Sequence, residues 1–262
     1  MNTSFIEKHW YAAAYEQFET QTNDVEFILS LLGEEPQNIL EVACGGGRIC
    51  IPTALAGHHV TAFDYDAHRL LHCYRKAQGL PNISIYQADA IDGEWGNNYD
   101  VVLMAGNLLI NIESSLEYSQ AQQLFIHHAA AALRSGGRLL LDYDQHSTES
   151  AMARFNYQGQ SEGQTYHDDL DTAGKDVYCG GIYDPVTQIC AWVNHRELKT
   201  NNGKTIIRDT RGYKHIPSLT QVYAWLSQAG LTIERTFKGY SEEPLCETET
   251  KHVRATILAK KD

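Results

Sequence analysis

Val25, Ile28, Leu29 and Leu32 recur at helical spacing before Gly33, which predicts a helix over 22–32 with a glycine stop. Residues 4–18 also read as a helix, with Trp10, Tyr11 and Tyr15 among alanines. The rhythm then changes to short apolar runs separated by single helices. Strands are predicted at Asn38–Ala43, His59–Asp64, Asn82–Gln87, Asp100–Ala105 and Gly137–Tyr143. Helices are predicted between them at Arg48–Ala56, Ala67–Gln78 and 117–133. Such alternation implies a parallel sheet covered on both faces.

From residue 148 the period becomes that of half-buried strands. Tyr178–Tyr183, Gln188–Lys199 and Lys204–Tyr213 alternate polar and apolar residues, with turn signals at Asp184-Pro185 and Asn201-Asn202-Gly203. Ser218–Ala229 returns to helix, and Leu231–Lys238 and Val253–Lys260 close as strands. The expected fold is α/β: a doubly wound, mostly parallel seven-stranded sheet with a C-terminal antiparallel hairpin and an inserted antiparallel β subdomain. The expected divisions are 1–147 (N-terminal helices and core), 148–216 (insertion) and 217–262 (closing helix and strands). An insertion of that length between core elements usually carries function, so it is expected to lie over the ligand edge as a lid. His167, Arg211 and Tyr213 are its candidate discriminating residues.

Charge narrows the partners. The net charge of -12 and pI near 5.4 oppose contact with a phosphate backbone, so no nucleic-acid partner is expected. Glu7 and Lys8 fall where a signal peptide needs an apolar stretch, and no run is long enough for a membrane span. The six cysteines are scattered without a CxxC pair, which reads as reduced, buried thiols of a cytoplasmic protein. No metal site is expected from them, nor from His58-His59 and His127-His128, which lack i, i+4 ligand spacing.

The most informative stretch is Glu41-Val42-Ala43-Cys44-Gly45-Gly46-Gly47-Arg48, a strand running through a glycine turn into a helix. Small residues let a ligand approach the backbone, and a helix start offers free N–H groups. Cys50 stands where a third glycine of a dinucleotide fingerprint would be. Glu41, just before the turn, would repel a pyrophosphate and attract a cationic amino acid moiety. Asp64 ends the next strand, where it can accept ribose hydroxyls.

Glu41-x-Ala43-Cys44-Gly45-x-Gly47 resembles the first cofactor motif of class I, Rossmann-like S-adenosylmethionine (SAM)-dependent methyltransferases. Asp64 matches the acidic residue ending their second strand, Gln87-Ala88-Asp89-Ala90 their adenine-binding motif, and Tyr99-Asp100-Val101-Val102 their fourth-strand motif. Ala43 departs from the glycine that many members carry. The resemblance implies SAM as cofactor and S-adenosylhomocysteine as product. It implies a cofactor site drawn from Tyr11, Glu41, Ala43, Cys44, Gly45, Gly47, Arg48, Asp64, Tyr65, Arg69, Asp89, Ala90 and Ala105, with Cys44 contacting through its backbone. The N-terminal tyrosines, the Ala105-Gly106-Asn107 turn and Tyr183-Asp184-Pro185-Val186-Thr187 further resemble a branch that includes glycine N-methyltransferase. That branch clamps its substrate with an arginine after the fifth strand, where this chain has Asp144.

The expected reaction is methyl transfer to nitrogen or oxygen of a small molecule, an amine being preferred because Asp144 would attract a cation. Asn107, Asp144 and Tyr213 are the candidate catalytic residues. An NAD(P)-dependent oxidoreductase and a non-catalytic SAM-binding protein are the rival readings, and a homodimer is left open. No Asn/Asp-Pro-Pro-Tyr tetrapeptide follows the fourth strand, which agrees with the absence of a flipped-base substrate.

Overall fold

Parallel pairing joins β1 (Asn38–Val42), β2 (His59–Asp64), β3 (Ile83–Gln87), β4 (Tyr99–Met104) and β5 (Leu133–Gln145). In the computed structural model, which describes residues 2–246 and 252–262, β11 (Val253–Lys261) runs antiparallel beside β5 and β10 (Leu231–Lys238) completes the edge. The resulting order is β10-β11-β5-β4-β1-β2-β3. The chain therefore leaves β1 toward β2 and β3, then returns to its other side with β4 and β5. Such a reversal opens a crevice beyond the strand carboxyl ends.

The apolar spacing that predicts α2 (Asn23–Leu32) also covers the sheet. Val25, Ile28 and Leu32 pack with Ile39, Val101, Leu103 and Leu140. Burying each such side chain contributes about 1.5–3 kcal/mol. Ile51, Ala54 and Leu70 of α3 (Cys50–Leu55) and α4 (Ala67–Lys76) pack on Val60 and Ala62 of β2. A T-shaped chain of rings, Phe63–Trp95–Phe125, links β2 to α5 (Tyr118–Ala132). Ser218 caps α7 (Leu219–Gln228) in a capping box with Gln221.

The chain divides into two compact units, Thr22–Ser147 with Ile216–Asp262, and Met1–Gln21 with Thr148–His215. The second unit holds a four-stranded antiparallel sheet in the order β6 (Tyr166–His167), β7 (Ala173–Asp184), β8 (Ile189–Lys199), β9 (Thr205–His215). Its α1 (Thr3–Phe18) was expected to go with 1–147, but it groups instead with this sheet. The reason is its aromatic face: Ile6, Trp10 and Ala14 pack on Leu198 and Ile206, and Trp10 Nε1 donates to the Tyr166 carbonyl at 3.1 Å. Gly174 leaves room for that ring, since a Cβ there would lie 2.8 Å from it. The insertion also opens on a helix, α6 (Thr148–Phe155), rather than directly on a strand. Only Ala151 of α6 is buried, so it has little apolar periodicity to read.

Trp10→Ala should destabilise the antiparallel unit by about 3–5 kcal/mol. Chemical denaturation followed by Trp192 fluorescence checks this, and a midpoint unchanged from the wild type would contradict the packing.

Candidate active site

The register of β1 on β2 pairs Glu41 with Ala62. Glu41 and Asp64 consequently lie on one face of the sheet, beside the glycine turn. That turn uses left-handed backbone at Ala43 (φ 57°), Gly45 (φ 54°) and Gly47 (φ 86°). Gly47 is required twice over: its φ favours glycine, and a Cβ would sit 2.8 Å from the Cys73 sulfur.

The amides of this turn point inward. Cys44 N donates to the Phe63 carbonyl at 2.9 Å, Gly45 N to Asp64 Oδ2 at 2.9 Å, and Gly47 N to the Cys44 carbonyl at 2.9 Å. Cys44 therefore does not offer its N–H to a ligand. Asp64, only 3% exposed, takes a second backbone amide, Asp66 N, on Oδ1 at 2.8 Å. Each of its oxygens keeps a further lone pair for a hydroxyl.

Glu41 is 4% exposed, and its Oε2 has no hydrogen-bond partner among the described residues. Burial pushes its carboxyl well above the usual range, the nearby Cys73 adds to this, and Arg48 opposes it. A buried carboxylate oxygen without a donor, beside a turn whose amides are already engaged, fits a cationic ligand group better than a pyrophosphate.

The other expected cofactor residues are placed as follows. Arg48 is held at 2.6 Å by buried Asp24 of α2, and Arg69 Nε lies 3.9 Å from Asp66. Tyr65 is exposed directly after β2. Asp89 Oδ1 accepts from Ile91 N at 2.7 Å, shaping the turn after β3, and the Ala90 carbonyl accepts from Trp95 Nε1 at 3.0 Å. Ala105 leads into Gly106 and Asn107, both left-handed, after β4. The carboxyl ends of β1, β2, β4 and β5 thus bring Glu41, Asp64, Asn107 and Asp144 to one edge of this unit. A depression of about 340 Å³ at the strand amino ends, lined by Asn38, His59, Asn82 and Tyr99, is on the opposite edge.

Beyond β4 and β5 the side chains form a closed ionic network. Asp142, fully buried, accepts from Gly106 N at 3.0 Å, Asn107 N at 2.7 Å, Tyr240 Oη at 3.0 Å and Arg254 at 2.8 Å. Burial alone would lower the Arg254 guanidinium, yet Asp142, Tyr240 and Asp144 hold its pKa above the usual value. Asn107 clasps the end of β5 at both ends of its amide: Nδ2 donates to Asp144 Oδ2 at 2.9 Å and Oδ1 accepts from Asp144 N at 2.8 Å.

Asp144 also meets Arg254 Nε at 3.0 Å and His252 Nε2 at 3.3 Å. Asp144, expected to attract an amine, is thus paired, and it shares the single charge of Arg254 with Asp142. His252 stacks on His146 with ring centroids 4.4 Å apart.

Asp142, Tyr240, His252 and Arg254 were not singled out from the sequence. Asp142 left one signal, a carboxylate within the apolar run Leu139-Leu140-Leu141 to Tyr143, because charges are almost never fully buried unless paired. Tyr11 and Tyr213 belong to the antiparallel unit: the Tyr11 ring lies under the Arg196 guanidinium at 4.7 Å, and Tyr213 is exposed on β9 opposite Ala191.

Residues 39–137 match a family described as a methyltransferase domain. No curated protein matches the sequence. Among solved structures, a SAM-dependent methyltransferase from Clostridium acetobutylicum superposes with a TM-score of 0.71 at 15% identity, covering 99% of each chain. A sugar N-methyltransferase from Streptoalloteichus sp. gives 0.70 at 15% identity, covering 96% of this chain and 92% of its own. An amino pentose methyltransferase from Micromonospora echinaspora gives 0.66 at 14% identity, covering 96% of each. At these identities the superpositions show the fold. The domain match takes in the glycine turn, and the superpositions give this chain the Rossmann-like fold of those class I SAM-dependent methyltransferases.

Asp142→Ala removes the acceptor of two amides, a phenol and a guanidinium. It should cost about 3 kcal/mol or more of stability, the range for breaking a buried ion pair. Denaturant titration measures it, and a loss below that of Asp144→Ala would mean the network is held elsewhere.

Proposed function

We propose that the protein transfers the SAM methyl group to a nitrogen of a small molecule, and that Glu41 and Asp64 hold the cofactor. The observation that carries the cofactor assignment is the unpartnered Glu41 oxygen beside a turn with inward amides. Glu41 receives the cationic amino group, Asp64 the ribose hydroxyls and Asp89 the adenine amino group. The nitrogen acceptor is supported by relatives of the same fold that are named as methylating amino sugars and sugar nitrogen. Asp144, paired with Arg254 and His252, gives no ground of its own for choosing nitrogen over oxygen.

SAM supplies an activated methyl group, so the protein's task is to align the acceptor and exclude water. An amine that arrives as an ammonium ion must lose a proton first. The His252–Asp144 pair at the end of β5 is the proposed proton acceptor, with Asn107 and Arg254 fixing the carboxylate. Substrate choice is assigned to the antiparallel insertion through His167, Arg211 and Tyr213, because so long a connection between core elements usually serves function. Arg211→Ala should then change turnover while leaving SAM affinity intact.

The cofactor reading has a pH signature. Only ionised Glu41 attracts an ammonium group, and its folded pKa is raised by burial. SAM affinity should therefore strengthen as pH rises through that raised value and weaken as pH falls below it. Calorimetry at several pH values tests this. Glu41→Gln should bind about tenfold or more weakly, as loss of a charge-assisted hydrogen bond does, and should lose the pH dependence. Saturable NADH binding without a SAM signal would overturn the cofactor reading.

His252→Asn should lower kcat by about a hundredfold or more, the usual contribution of a general base, with SAM affinity unchanged. Methyl transfer from labelled SAM across a panel of amino sugars and alcohols is the assay. Turnover confined to the alcohols would replace nitrogen by oxygen as the acceptor.

A further inference from the structure

Three thiols that sequence spacing leaves unrelated meet beneath the glycine turn. Cys44 lies in the turn, Cys50 begins α3 and Cys73 lies in α4, and all three are buried. Their sulfur atoms all fall within 4.8 Å of one another, and Cys50 and Cys73 are 3.6 Å apart. Thiolates bound tetrahedrally to zinc at about 2.3 Å stand about 3.8 Å from each other. The cluster is therefore near the dimensions of a bound set before any ion draws it together.

A second observation points the same way. Cys44, Cys50 and Cys73 are all free thiols. Ile51, Ala54, Val60, Ala62 and Leu70 wall the thiols off with apolar surface. A disulfide between Cys50 and Cys73 would use two of the sulfurs and leave Cys44 unaccounted for.

We propose that Cys44, Cys50 and Cys73 form a buried zinc site beneath the glycine turn, with the three thiolates as its ligands. Three sulfurs fill three positions of the tetrahedral set that structural zinc sites use. Loading releases the thiol protons, so zinc affinity should rise with pH.

The test uses the full chain, reduced and metal-free, without SAM, so that its outcome is independent of the methyl-transfer reading. Zinc is titrated in competition with a chromophoric chelator, and cadmium is titrated separately to read thiolate coordination from its charge-transfer absorption. One ion per chain is expected, with three of the six cysteines protected from a thiol reagent and a raised thermal midpoint in zinc. Cys73→Ser and Cys50→Ser should each weaken zinc by about a hundredfold or more, at least the loss seen when outer-shell partners are removed. The double variant Cys179→Ser, Cys246→Ser, which keeps all three cluster thiols, should bind as the wild type does. This keeps the test valid if a cluster variant fails to fold. Absence of binding to the folded reduced protein overturns the proposal, as does binding lost in the Cys179, Cys246 variant. Conversion of Cys50 and Cys73 to a disulfide in the presence of excess zinc overturns it as well.

Discussion

The carboxylate of Asp142 holds the ligand edge of the sheet together. It sits at zero exposure inside β5, and a charge there is tolerable only if its lone pairs are filled. The turn after β4 fills two of them with amides, the loop after β10 supplies a phenol, and β11 supplies Arg254. Four segments distant in sequence are thereby tied to one point. Removing any of them leaves a buried charge short of a donor, which is a stronger constraint than apolar contact imposes.

From that point the constraint passes outward. Asn107 is left-handed because its amide N–H must reach Asp142 while its side chain reaches Asp144. Arg254 bridges the two carboxylates, and its one positive charge offsets one of their two. The edge that an acidic composition would make strongly negative is thus partly neutralised where β5 ends. On the other side of β1 the logic differs. Backbone amides close the glycine turn on itself and on Asp64, while Glu41 is buried with an oxygen to spare. The two halves of the edge offer different chemistry: near β1 a carboxylate with one oxygen that has no donor among the described residues, and beyond β4 and β5 a locked ion network.

Elements with strong periodicity were legible in the sequence. α2, β1, β2 and α7 follow from apolar spacing, a glycine stop or a capping serine. The motif residues from Glu41 to Asp64 were legible too, because a strand–turn–helix fixes their neighbours locally. α6 was not, since one buried residue in eight leaves no pattern. The grouping of α1 with the antiparallel sheet was equally hidden. An amphipathic helix announces that it will be buried, and its sequence does not say against what.

The sequence by itself determined the order of strands and helices, the glycine turn and the acidic residues that flank it. These depend on backbone geometry within a few residues, where residue type acts directly. Only the tertiary structure decided that Asp144 is already paired, that Asp142 anchors four segments, and that Cys44, Cys50 and Cys73 meet. Each of those depends on strand register and helix packing between residues far apart in the chain. Coulomb energy and hydrogen bonding respond to distance in space, and the sequence states only distance along the chain.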